Sequence, residues 1–384
     1  MKTCLRIPRL YHPRNGYEKW AVIACDRFAH DRDYWERVAK EIGDAPSVLS
    51  CIFPDAFLGD EDEARLQGVH EGIYEHLESG ALERLYPGMI YVVRQTSHGE
   101  RRGFLAMLDL EEYSPECEKS ASIRASTQVI PSLVEARRRV RQESVMEFPH
   151  AVLLYRDKKE KLLRELNKEE LELLYDVELS GGGGNIKGYF LYQDLARNVI
   201  RELHGYADPC FIVADGNHSL AAAKQYWEEI KKTISEVETR NHPARFFLAE
   251  FVNVMSESVV FEPVHRVVSE IETEAFCDYF ARNVKCKREG NLLYPVLTGS
   301  ESYHKVDQVI KEFTKANFGK LSYRAGRPVS LAEENSVVIA LPAVDKTEIV
   351  DAVKHGRLYP PKCFRLGGEK DARYSFEGRE ISYD

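Results

Sequence analysis

Apolar residues recur along the chain in two rhythms. Short apolar runs at 5–11 and 20–25 read as strands, and 33–42 reads as a helix opening near Asp31 or Asp33. Residues 61–79 place Ala64, Leu66, Val69, Ile73, Tyr74 and Leu77 at helical spacing, and Gly80 stands where a helix often stops. Residues 90–95 and 102–110 predict a strand pair turning near His98-Gly99-Glu100. A charged helix is expected over 132–144, a strand over 150–155, and an amphipathic helix over 158–175 carrying Leu162, Leu163, Leu166, Leu171 and Leu174. Residues 193–203 predict another helix. The apolar run Phe211-Ile212-Val213-Ala214 predicts a buried strand, and Asp215-Gly216-Asn217-His218-Ser219 breaks it before a series of helix formers. Strands at 244–254 and 258–268 are expected around a turn at Met255-Ser256-Glu257. Beyond them, helices near 272–283, 304–317 and 346–355 alternate with strands near 293–297 and 336–341.

Strands and helices are interleaved throughout, so the class is α/β or α+β, with mixed sheets and flanking helices. A chain of 384 residues predicts two domains, because domains hold roughly 100–200 residues. The expected division is an N-terminal α/β domain over 1–150 and a C-terminal α/β domain over 151–384 carrying the Asp215 segment. No internal repeat is present. The clearest loop is Gly181-Gly182-Gly183-Gly184, which suits either a mobile linker or close approach of its amides to a phosphate.

Charge and composition narrow the function. A net charge of −9 argues against a general nucleic-acid binder, which needs a basic surface. There is no apolar run of about 18 residues, so no spanning helix is expected. The start of the sequence lacks the apolar stretch of a signal peptide. Eight scattered cysteines without Cys-x-x-Cys read as reduced cytoplasmic thiols.

The Asp215 segment concentrates the candidate chemistry. A strand that runs through a glycine into a helix start offers free amides and the positive end of a helix dipole, which suits phosphate. Gly216 permits a tight turn. Asp215 can bind a metal or a hydroxyl, His218 can move a proton, and Ser219 can cap the helix. The same residues also suit a plain strand-to-helix turn. Neither a P-loop nor Gly-x-Gly-x-x-Gly is present. Asp26, after an apolar run, can deprotonate a hydroxyl, hold Mg²⁺ or cap a turn. Arg124, with Ser126 and Thr127, can grip an oxyanion or form a salt bridge. His265-Arg266 pairs a proton carrier with an anion fork, or packs structurally. Lys362, stiffened by two prolines, can reach a phosphate. Arg137, Arg138, Arg139 and Arg141 read as a solvated helix face.

Val213-Ala214-Asp215-Gly216-Asn217-His218-Ser219-Leu220-Ala221 resembles the signature of the DUF1015 family. Trp20–Asp26 with Tyr34-Trp35, Ile123–Thr127, Gly182–Tyr189, Phe261–Arg266 and Pro360-Pro361-Lys362 resemble further family segments, in order along the chain. Members typically carry Asp-Gly-His-His-Arg or Asp-Gly-Asn-His-Ser at the signature, and the first form is similar to the loop of ParB-like free-serine kinases. Asp215, Gly216 and His218 match that loop, whereas Asn217 and Ser219 replace its first histidine and its arginine. The resemblance implies a ParB/serine-kinase-like part. It also implies a phosphotransferase acting on a small hydroxylated metabolite such as free serine. ATP or ADP and Mg²⁺ would be its cofactors, with the metal at Asp215. Gly216, Asn217, Ser219, Arg124, Thr127, His265, Arg266 and Lys362 would hold the nucleotide, and Asp215, His218 and Asp26 would do the chemistry. A phosphatase on a small phosphoester, a non-catalytic nucleotide-binding regulator of ParB-like kind, and a scaffold whose motif is only a turn are the alternatives.

Overall fold

A computed structural model describes residues 3–14, 18–23, 28, 31–59, 62–166, 170–179, 182–328 and 335–383. Asp26, Ala24, Cys25 and Gly181 lie outside the described residues. The fold is mixed α/β, with three mixed or antiparallel sheets among the described residues. The largest runs in the order Glu172–Glu178, Asn185–Tyr192, Gly88–Thr96, Gly99–Asp109, Phe246–Asn253, Ala151–Tyr155, Phe211–Asp215, Ile123–Arg124, Tyr113–Ser114. Its central strands are apolar on both faces because they are covered on both faces, so Ala151–Tyr155 and Phe246–Asn253 are buried along their whole length.

The expected division at residue 150 falls inside this sheet. Phe246–Asn253 pairs on one side with Gly99–Asp109 and on the other with Ala151–Tyr155. The chain also returns late to its beginning. Tyr374–Glu380 pairs with Val22–Ile23, Tyr11–Pro13 and Met146–Pro149. A third sheet gathers Phe261–Ser269 with Lys320–Ala325, Ser336–Ile339 and Phe364–Leu366. The two strands expected around Met255 therefore part into different sheets.

Most expected helices form with small shifts: Arg32–Ile42, Asp62–Glu78, Pro131–Gln142, Gln193–Gly205, Thr273–Asn283, Gly299–Asn317 and Lys346–Lys354. Asp31 caps the first by accepting from Tyr34 N–H at 2.9 Å. The helix expected over 158–175 is a correction. Among the described residues there, Lys161–Arg164 is the only α-helical stretch, and Glu172–Glu178 is a strand that pairs with Asn185–Tyr192. The glycine loop is no free linker either. Arg94 donates to Gly183 O at 3.0 Å, and Gly184 sits so close to Gln95 O that a side chain has no room. No helix among the described residues is long and apolar enough to cross a membrane.

Candidate functional site

Phe211–Asp215 runs between Ala151–Tyr155 and Ile123–Arg124 and ends at Asp215. Gly216 then takes the left-handed conformation, φ 90° and ψ 16°, which L-residues with a Cβ adopt at a cost. Asn217–Ile230 begins at once as a helix. Its first backward bond runs from Leu220 N–H to Gly216 O at 2.9 Å. The amides of Asn217, His218 and Ser219 therefore precede the helix's own bonding. Ser219 was expected to cap this helix. It stands instead within the first turn, where its Oγ accepts from Arg137 at 3.2 Å.

Asp215 is partly open, its side chain 25% exposed. Its Oδ1 accepts from Gly216 N–H at 2.7 Å and lies 3.1 Å from Arg373 Nε. Arg373 is buried and also donates to His150 O at 3.1 Å. Asn217 is pinned at both ends of its amide. Tyr113 O–H donates to Oδ1 at 2.7 Å, and Nδ2 donates to Thr127 O at 2.6 Å. It thus ties the 125–128 segment to the helix start and brings Thr127 to the loop. His218 is 4% exposed, and its Nε2 accepts the Ile130 N–H at 3.0 Å. That bond serves the start of Pro131–Gln142, where Ile130 offers no side-chain cap. The two helices start side by side and meet again between Arg138 and Glu229 at 2.9 Å, so they run the same way. Both positive helix ends face the loop region.

The arginine run is the second correction. Arg137 grips Asp55 through Nε at 3.1 Å and Nη2 at 2.5 Å, and Arg141 is buried against Glu147. Of the run, Arg139 is exposed and Arg138 meets Glu135 and Glu229 near the surface, so these two keep the expected outward role. Between this helix pair and Arg32–Ile42 lies a cavity of about 170 Å³. Trp35, Phe53, Phe148 and Phe247 form apolar wall, and Ser219 and Arg373 line it from the loop side.

The other predicted residues lie elsewhere. Arg124 is one strand away, but its guanidinium donates to Ala121, Lys119 and Val353 carbonyls. His265 and Arg266 sit on the third sheet. There His265 Nε2 bonds Gly326 O at 2.8 Å, and Arg266 makes a two-pronged pair with Asp307 at 2.8 and 3.0 Å. Burial pushes His265 below the usual histidine range. Lys362 holds its ammonium 5.3 Å from the Tyr323 ring. Among the described residues, no group of three or more His, Cys, Asp or Glu side chains could hold a metal. Behind Arg373 lies a buried charged layer: Glu250 accepts from Arg101 at 3.1 Å and has His150 Nε2 at 3.6 Å. Burial alone would push Glu250 up, yet Arg101 and His150 hold it down at about 2.

Sequence reasoning missed Arg373, Tyr113 and Asp55. Their only local signal is polarity; their partners are fixed by tertiary pairing.

Fold and site thus define a mixed α/β protein with a helix start, behind a left-handed glycine, beside a partly open carboxylate and a buried arginine. The chain belongs to the family described as protein of unknown function (DUF1015), which it matches over residues 9–344. No curated protein matches it. Among solved structures, a mutant free serine kinase in complex with AMP aligns with TM-score 0.41 at 12% identity, over 72% of this chain and 92% of that one. A conserved hypothetical protein from Pyrococcus furiosus aligns with TM-score 0.38 at 11% identity, over 72% and 95%. SbnI with a C-terminal truncation, from Staphylococcus aureus, aligns with TM-score 0.37 at 8% identity, over 69% and 83%.

Proposed function

We propose that the chain is a cytoplasmic phosphotransferase that moves a phosphoryl group from ATP or ADP to the hydroxyl of a small metabolite. Free serine is the acceptor to try first, because of the Asp-Gly-x-His likeness. One observation carries the reading: a left-handed glycine brings a helix start, a part-exposed carboxylate and a buried arginine together. Phosphoryl transfer asks mainly for positioning and charge neutralisation. The amides of Asn217 and Ser219 and the Arg373 guanidinium supply donors for phosphate oxygens. Asp215 takes the acceptor's proton, with Asp26 the second candidate for that role. Mg²⁺ fits a site of one carboxylate plus phosphates, and Asp215 offers Oδ2 for it while Oδ1 faces Arg373. Asn217 acts by holding the loop.

Turnover is measured with ATP or ADP, Mg²⁺ and a panel of hydroxylated amino acids. Asp215→Asn should lower kcat/KM by about 10²–10⁴-fold, the usual worth of a general base. Unchanged turnover in this variant removes Asp215 from the mechanism. A nucleotide-binding regulator is the second reading, and the burial of His218 against Ile130 N–H favours it, since that imidazole is already engaged. Nucleotide that raises Tm and alters oligomeric state without turnover would support it.

A further inference from the structure

The cavity beside the loop buries polar groups that its own lining does not satisfy. Four of its lining residues bury polar atoms that have no hydrogen-bond partner among the described residues: the donors Arg141 Nε, Arg373 Nε and Ser375 Oγ, and the acceptor Glu147 Oε2, which is ion-paired with Arg141. Arg373 Nε is within 3.1 Å of Asp215 Oδ1, but as an ion pair without hydrogen-bond alignment. The three nitrogen and hydroxyl groups can donate, and a buried donor without an acceptor is costly to leave so. The lining also holds three arginines, Arg137, Arg141 and Arg373, against two carboxylates, Asp55 and Glu147. Arg373 is answered by Asp215, outside the lining, but Glu147 is shared between Arg141 and Arg379, which leaves one positive charge over. The remaining wall is apolar and aromatic, and about 170 Å³ is space for one ring, since an apolar cavity of about 150 Å³ accepts benzene.

We propose that this cavity is a binding site for a small monocarboxylate with an apolar body of about one ring. The carboxylate accepts from Arg373 and Ser375, and the body packs against Trp35, Phe148 and Phe247. Because Arg373 also faces Asp215, a hydroxyl next to that carboxylate lies on the side of the loop. The site then selects hydroxy acids bulkier and more apolar than serine as acceptors. This last step rests on the phosphotransferase reading; the binding site does not.

Isothermal titration of the full chain with 3-phenyllactate, phenylacetate, benzyl alcohol and free serine tests it. The two ring carboxylates should bind about tenfold or more tighter than benzyl alcohol or serine, the worth of a hydrogen bond to a charged group. Ala222→Leu puts bulk into the cavity and should abolish their binding. Ser375→Ala removes a single oxygen and should weaken the carboxylates about fivefold to tenfold while leaving benzyl alcohol unchanged. Equal binding of phenylacetate and benzyl alcohol, phenylacetate binding indifferent to both variants, or no binding at all overturns the assignment. Serine phosphorylation without phenylacetate binding overturns this pocket and spares the phosphotransferase. Phenylacetate binding lost in Ala222→Leu, with no turnover on any nucleotide, does the reverse.

Discussion

Replacing Gly216 by alanine tests the turn on which the whole site is built. The residue sits at φ 90°, where a Cβ costs about 1–2 kcal/mol. A methyl there would also stand 3.0 Å from Arg373 Nη1 and 3.1 Å from both Cα and Cβ of Ala151. The arginine end is held by its bond to His150 O, and Ala151 belongs to a buried central strand, so neither neighbour yields cheaply. Crowding of this kind adds about 1–3 kcal/mol. Gly216→Ala should therefore lose about 2–5 kcal/mol in urea unfolding followed by tryptophan fluorescence. Gly59 provides the control. It has the same φ of 90°, but a methyl there would meet nothing within 4 Å, so Gly59→Ala should show the strain alone. The difference between the two variants measures the crowding. If Gly216→Ala is no less stable than Gly59→Ala, the close packing of Arg373 and Ala151 over the turn is refuted.

Acid stability should carry the mark of Glu250. Its folded pKa of about 2 lies below the ordinary 4.5, so the stabilisation is full above pH 4.5 and drains away as pH falls toward 2. The loss amounts to about 3 kcal/mol, and the acid limb of a stability-against-pH curve should flatten in Glu250→Gln; an unaltered limb would count against the buried pair. Asn217→Ala should destabilise by about 2–3 kcal/mol through two lost bonds and a stranded Tyr113 hydroxyl. A double-mutant cycle with Tyr113→Phe should show coupling of about 1 kcal/mol, and strict additivity would mean that the bond adds nothing.

The junction at residue 215 is legible in the sequence because its signals are local. Four apolar residues, a glycine and a run of alanines dictate strand, turn and helix without help from distant residues. What the side chains do there is not legible. Asn217 looks like a ligand donor, but both ends of its amide are taken by Tyr113 and Thr127. The partner of His218 is a main-chain N–H, which leaves no trace in the identity of Ile130. The 158–175 segment misleads for a different reason. Its leucines fall at helical spacing, and the pairing register slips between Leu173 and Tyr175, which hides the alternation of the strand. The arginine face reads as solvated until Asp55 and Glu147, from other parts of the chain, are set against it.

The return of Tyr374–Glu380 to strands near the start of the chain has a consequence for biogenesis. The carboxylate at 215 leaves the ribosome long before its arginine at 373, and until then the loop waits without its counter-charge. A nascent or prematurely terminated polypeptide lacking that strand would carry the recognisable signature and yet be unable to assemble the pocket beside it.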